Sequence, residues 1–191
     1  MKYTIFILVV LCQIFCFCSH PTQTEKDLRE NINKPLHLKM FETVRQGNTL
    51  IPFDDFRQQY EFLSVVYLQN GCQPCYPKFI EWQHKIDSIG CPHNFSVLFV
   101  IQGNSYEDFM KEVLNIDFVE DHYYTIMDPE FEFTSQNGSI PNWLINSSVL
   151  IDYENKIKMV GAPWINEDMT KLFYEIVSKG KSWGLSENQL N

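Results

Sequence analysis

Phe62-Leu63-Ser64-Val65-Val66-Tyr67-Leu68-Gln69-Asn70-Gly71-Cys72-Gln73-Pro74-Cys75 joins three signals in one stretch. Residues 62–68 are apolar, β-branched or aromatic almost without interruption, which predicts a strand buried on both faces. Asn70-Gly71 breaks that strand. After Cys75, the residues Phe79, Trp82, Ile86 and Ile89 recur at helical spacing, and Gly90 ends the pattern, so a helix is expected from about Pro74 to Ile89. Two cysteines three positions apart therefore stand where a buried strand hands over to an amphipathic helix. Such thiols close a disulfide with little backbone movement. Cys72 falls just outside the first helical turn, near unpaired N–H groups and the positive end of the helix dipole, which favours thiolate over thiol. The thiolate is the nucleophile. Pro74 suits the first turn, where a missing N–H costs nothing.

The same alternation continues outward. Phe95–Ile101 is a second buried strand closed by Gly103. Ser105, with Asp108 three residues on, opens a helix whose apolar face is Tyr106, Phe109, Met110, Val113 and Leu114. Tyr123–Met127 is a third buried strand. Residues 128–146 read as irregular, with one helical turn near Phe131. Ser148–Tyr153 and Lys156–Val160 form a hairpin around Glu154-Asn155. A last helix runs from about Glu167 to Lys179, capped by Asn166, with Met169, Leu172, Phe173, Ile176 and Val177 facing the core. Upstream, Leu36–Phe41 alternates as a strand, Leu50-Ile51 suits a short second one, and residues 54–60 are ambiguous. The order β-α-β-α-β-irregular-β-β-α predicts an α/β protein. Its central mixed sheet would be mainly parallel, flanked by helices, with an N-terminal strand extension.

The chain has 191 residues, 45% of them hydrophobic and 15% aromatic, enough for one domain with a real core and a short appendage. Its formal charge of −9, with no basic cluster, argues against nucleic-acid binding. Met1-Lys2, an apolar run from Ile5 through Ile14 to Cys18, and the abrupt polarity of Ser19-His20-Pro21 describe an export signal. The run is shorter than the ~20 residues of a membrane span. The segment also resembles a bacterial lipoprotein signal, which implies Cys18 as the lipidated residue, although Phe17 stands where a small residue is expected. The expected organisation is a signal over 1–18, a polar tether over 19–34 that has room for a short amphipathic helix, and a domain over 35–191.

Beyond the first 18 residues only Cys72, Cys75 and Cys91 remain, too few for a disulfide-stapled miniature fold. Zinc needs about four ligands, and no second pair stands at suitable spacing, so no metal is expected. Haem attachment needs His after the second cysteine, where this chain has Tyr76. A purely structural disulfide is the competing reading. Cys91, some 16 helical residues beyond Cys75, is expected about 25 Å away at ~1.5 Å per residue, as a free thiol. Trp82 and Trp143 read as core residues, and the histidines as scattered and solvated. Asn94, Asn137 and Asn146 open glycosylation triplets.

The strand-Cys-x-x-Cys-helix unit, the β-α order and the segment Val149-Leu150-Ile151-Asp152-x-x-x-Lys156-Ile157 together resemble the exported, membrane-tethered thioredoxin-like proteins of TlpA type over about residues 35–180. The resemblance implies a thiol–disulfide oxidoreductase acting outside the cytoplasm on protein thiols and disulfides, with a thiol electron donor or acceptor. It implies membrane attachment by lipid or an N-terminal anchor, and no cofactor beyond the redox-active Cys72–Cys75 disulfide. Cys72 would attack and Cys75 would resolve the mixed disulfide, beside a substrate groove of Gly71, Gln73, Pro74, Ile145 and Asn146. The chain departs from the family at three places. Asn146, or Pro141 in another register, takes the place of the family's cis-proline. Val66 stands where thioredoxin has a buried acid. Gly71 precedes the first cysteine where Trp is common. Two other functions compete: a peroxiredoxin-like peroxidase, which would need Thr where Gln69 stands, and a non-catalytic thioredoxin-like module that binds a metal or a partner chain.

Overall fold

The fold grows from the strand that precedes Cys72. In the computed structural model, which describes residues 21–90, 92–120 and 122–179, this strand, β3 (Phe62–Gln69), is buried at every position but its last. It pairs in parallel with β4 (Phe95–Gln102) along its whole length, from Phe62 opposite Phe95 to Gln69 opposite Gln102. β5 (Tyr124–Met127) continues the parallel set beside β4, whereas β6 (Val149–Ile151) runs antiparallel on the other side of β3. β7 (Ile157–Val160) pairs with β6, and the hairpin of β1 (Thr43–Gln46) and β2 (Thr49–Pro52) pairs with β5. The strand order among the described residues is β2-β1-β5-β4-β3-β6-β7, a mixed sheet with its parallel strands in the middle.

A parallel pair needs a crossover, and each crossover here is a helix. α3 (Cys75–Ser88) links β3 to β4, and α4 (Tyr106–Leu114) links β4 to β5. Val66, Leu68, Phe99 and Ile101 from the sheet enclose Phe79 and Trp82 of α3, Phe109 of α4 and Phe173 of α7 (Glu167–Lys179) in one core. The alternate strand positions face the opposite layer, where the Tyr67 ring meets Phe133 at 5.5 Å and Phe56 meets Tyr124 at 4.2 Å. Burial on both faces explains why residues 62–68 carry no polar–apolar alternation.

Side-chain caps set several boundaries. Ser105 accepts the Asp108 N–H at the start of α4, and Asn166 accepts the Met169 N–H at the start of α7. In the hairpin turn the Asp152 carboxylate accepts the N–H groups of Glu154 and Lys156 and pairs with Lys158 at 3.0 Å. Arg57, at the end of α2 (Phe53–Arg57), donates to Asn155 Oδ1 and to the carbonyls of Tyr60 and Asp152, fastening that helix to the hairpin. The chain divides into two units between Glu30 and Asn31. In the first, α1 (Gln23–Asn31) opens on a reciprocal capping box: Thr22 Oγ1 accepts the Glu25 N–H at 3.2 Å, and Glu25 accepts the Thr22 N–H at 2.7 Å.

Three expectations are corrected, and one ambiguous stretch is assigned. Leu36–Phe41 is not a strand, although Leu36 and Leu38 are buried in alternation. A side chain replaces the partner strand: Asn137 accepts the His37 N–H at 2.8 Å and donates to the His37 carbonyl at 3.0 Å. The N-terminal strand is instead β1, some residues later. Residues 54–60 include helix α2, seated by buried Phe53 and Phe56. The segment 128–146 holds two short helices, α5 (Glu132–Gln136) and α6 (Asn142–Ser147). Asp128 caps the first by accepting the N–H groups of Glu132 and Phe133, a cap four residues upstream that periodicity does not reveal. Leu114 and Leu172, assigned to core faces, are exposed, because Phe109 and Val113, and Phe173 and Val177, already fill the faces that meet the sheet.

Asn137→Ala leaves the His37 amide and carbonyl without their side-chain partner, while the Phe133 carbonyl keeps the backbone N–H of residue 137, so urea unfolding should show a loss of about 2 kcal/mol. Ser148 joins α6 to β6 at φ 76 and ψ 151, a conformation that costs a non-glycine residue about 1–3 kcal/mol, and its buried hydroxyl has no partner. Ser148→Gly should therefore raise the urea midpoint by the equivalent of about 1 kcal/mol.

Candidate active site

Where β3 ends, the backbone must turn sharply into α3, and two glycines permit it. Gly71 adopts φ +83 with open space around its α-carbon. Gly103 lets the end of β4 approach Asn70, where a Cβ would come within 2.9 Å of Asn70 Cβ. The turn is then locked from below. Buried Tyr76 accepts the Gly71 N–H at 2.7 Å through its hydroxyl, which donates to Asn70 Oδ1 at 2.9 Å. The Asn70 N–H reaches the Gln102 carbonyl at 2.8 Å. One aromatic hydroxyl thus fixes the two residues that precede Cys72.

Cys72 lies in the turn and Cys75 is the first residue of α3, which has no side-chain cap and no acidic residue in its first turn. The Cys75 N–H donates to the Cys72 carbonyl at 2.9 Å, folding the four-residue loop onto itself. Both are free thiols, both half-buried, and their sulfurs are in hydrogen-bond contact. Burial pushes the Cys75 thiol up to about 11, and the neighbouring Cys72 adds to the rise. The Gln69 N–H, 3.4 Å from Cys75 Sγ, and the Lys78 ammonium act in the opposite sense. Cys75 is therefore a protonated thiol at neutral pH.

Gly71, Gln73 and Pro74 are exposed on the loop. Ile145 and Asn146 lie across from it in α6, Ile145 buried and Asn146 exposed. They border a cavity of about 280 Å³, floored by Tyr67 and Gln102, whose side chains are hydrogen-bonded at 2.7 Å. There is no cis peptide bond among the described residues. Pro141 is the residue before α6, with φ −56, and Asn146 is inside that helix, so neither immediately precedes β6; Ser148 does. Val66 is fully buried in the apolar core beneath α3. Cys18 and Cys91 lie outside the described residues. Among the described residues no group of three His, Cys, Asp or Glu side chains is placed to hold a metal ion. Asn137 is fully buried, which closes its glycosylation triplet to modification.

The sequence reading did not single out Lys78, Tyr67 or the bracing role of Tyr76. Lys78 stands three residues after Cys75 and so shares its helix face, a relation the spacing does contain. Its ammonium donates to the Asn146 carbonyl at 2.7 Å, joining α3 to α6. That contact, between residues 68 positions apart, exists only in the folded chain.

No family model matches the sequence, and no curated protein matches it. Similar solved structures include the thioredoxin domain of a thiol-disulfide oxidoreductase from Bacteroides vulgatus (13% identity, 76% of this chain and 97% of that one, TM-score 0.48). A secreted thiol-disulfide isomerase from Corynebacterium glutamicum is another (20% identity, 68% and 75%, TM-score 0.44). A third is the exposed lipoprotein thioredoxin of Streptococcus pneumoniae (15% identity, 71% and 98%, TM-score 0.49). By its own topology, with a Cys-x-x-Cys turn between a central parallel strand and its crossover helix, and an antiparallel hairpin and a helix to follow, this chain has a thioredoxin-like α/β fold.

Proposed function

We propose that the chain is a thiol–disulfide oxidoreductase of TlpA type that acts outside the cytoplasm on protein thiols and disulfides through Cys72 and Cys75. The observation that carries this reading is the asymmetry of the two thiols. Cys72 is in the turn, outside the helix. Cys75 is in the first helical turn, held protonated by burial and touching Cys72. A partner disulfide attacked by Cys72 gives a mixed disulfide. Cys75 then forms a bond to Cys72, the bond from Cys72 to the partner breaks, and the partner leaves as a thiolate. The exposed Gly71, Gln73 and Pro74 on one side, and Ile145 and Asn146 on the other, form the groove that receives the partner chain. The Cys72–Cys75 disulfide is the redox centre, with no other cofactor, and a thiol donor or acceptor resets it. The apolar run ending at Cys18 supports export and attachment to the cell envelope, by lipid on Cys18 or by the run itself. Among the described residues no helix is long and apolar enough to cross a membrane.

The first test equilibrates the full chain in glutathione buffers and measures the fraction of Cys72–Cys75 disulfide by mass spectrometry after acid quenching. A reversible two-electron transition is expected, together with reduction of insulin disulfides that Cys72→Ser abolishes. A pair that never opens in mild reductant, or a Cys72→Ser protein that keeps its activity, sinks the catalytic reading and leaves a binding module with a structural disulfide.

A second test reads the thiols one at a time by alkylation. Only the ionised form reacts, and burial, the largest cause of the rise in Cys75, persists when Cys72 and its share of that rise are removed. In a Cys72→Ser protein, iodoacetamide should modify Cys75 slowly at pH 8 and faster as the pH climbs toward 11. In a Cys75→Ser protein, Cys72 should react readily at pH 8. The sign for stability follows from the same shift. Between ~8.5, where an unfolded thiol ionises, and about 11, where folded Cys75 does, the unfolded chain binds fewer protons. The reduced protein therefore loses stability as pH rises through that window.

A further inference from the structure

For Cys75 to resolve a mixed disulfide, its sulfur must become negative in a place that disfavours charge. Beneath it there is no acid to manage the proton, because Val66 is apolar and fully buried. The titratable groups in electrostatic reach of Cys75 are Cys72 in the loop, Lys78 on the same helix, and Tyr67 from β3, while α6 presents the neutral Asn146. Of these, only Lys78 carries positive charge. It is half-buried three residues along α3, and its ammonium is anchored by the Asn146 carbonyl at 2.7 Å. Glu81, one further turn along, bears on Lys78, and its carboxylate accepts the Trp164 indole N–H at 2.8 Å. The tether holds the ammonium in one place more than a free surface lysine is held.

We propose that Lys78 is the positioning cation of the resolving step: tethered to the Asn146 carbonyl, it stabilises the charge that develops on Cys75 Sγ and at the same time holds the groove wall against α3. This rests on the redox reading of the Cys72–Cys75 pair. In the step, Cys75 gives its proton to solvent and its sulfur bonds to Cys72 Sγ. The Cys72–partner bond breaks, and the partner sulfur leaves with the electron pair and takes a proton from solvent. No oxidant or reductant beyond the mixed disulfide is required. The burial that raises Cys75 also lowers the Lys78 ammonium, while the two thiols and Glu81 favour its charged form. The cation and the nascent thiolate are thus mutually supporting.

The test uses the full chain with Cys12, Cys16, Cys18 and Cys91 replaced by serine, so that only the pair reacts. Ellman's reagent converts reduced Cys72 to a thionitrobenzoate mixed disulfide, and release of the second thionitrobenzoate in a stopped-flow trace reports attack by Cys75. Loss of the charge in Lys78→Met should slow that second release about tenfold at pH 7 and move its pH midpoint up by about one unit. Lys78→Gln, which keeps a donor for the Asn146 carbonyl without the charge, should behave like Lys78→Met. Lys78→Arg should recover most of the wild-type rate. Wild-type release rates and midpoints in both uncharged variants overturn the proposal, as does a Lys78→Gln protein that matches wild type while Lys78→Met is slow, since tethering alone would then be the role. A parent protein that releases no second equivalent refutes the redox reading itself, a result distinct from failure of the Lys78 assignment.

Discussion

The parallel ladder between β3 and β4 is the constraint on which the rest of the structure depends. Its strands pair from Phe62 opposite Phe95 to Gln69 opposite Gln102, and nearly every side chain along them is buried. Parallel pairing forbids a tight turn between them, so a crossover helix must follow β3. Double-sided burial demands a layer on each face. Both strands end at the same edge, where Gln102 receives the Asn70 amide and β3 must turn into α3. The reactive turn is thus placed by backbone pairing, before any side chain in it contributes.

Within that frame the two like groups differ in their place relative to the helix, although both are half-buried. Cys72 and Cys75 are separated by one tight turn, yet one lies before the helix and the other inside it. Tyr76 makes the difference rigid by gripping both Asn70 and Gly71 through a single hydroxyl. Burial of Cys75 keeps it neutral, and the proposed division of labour, in which Cys72 meets the partner, builds on that. The same burial makes Cys75 a reluctant nucleophile, which gives weight to the Gln69 amide and the Lys78 ammonium beside it. The groove wall opposite is built from a short helix, α6, and a strained junction at Ser148. The ammonium of Lys78 links α3 to α6 through the Asn146 carbonyl.

Much of this was legible in the sequence, for a physical reason that differs from element to element. The buried strands β3 and β4, helix α3, the hairpin and the last helix announce themselves because apolar period and turn residues are local properties. The caps at Ser105 and Asn166 are equally local. The stretch Leu36–Phe41 misled because alternation reports which side chains are buried and says nothing of what receives the backbone amides. The His37 amide goes to the side chain of Asn137, and the Leu36 amide to the Asn155 carbonyl. Residues 128–146 misled because five- and six-residue helices are too short for a period, and the first begins on a cap, Asp128, that lies outside it.

By itself, then, the sequence determined the order of elements and the position of the Cys72–Cys75 pair at a strand-to-helix junction. These follow from neighbours along the chain. Only the tertiary structure decided that Asn146 belongs to a helix rather than to the start of a strand, that Tyr76 braces the turn, and that Lys78 reaches Asn146. Those facts depend on which distant segments the sheet brings together. A contact between residues 68 positions apart leaves no mark on the local pattern of either.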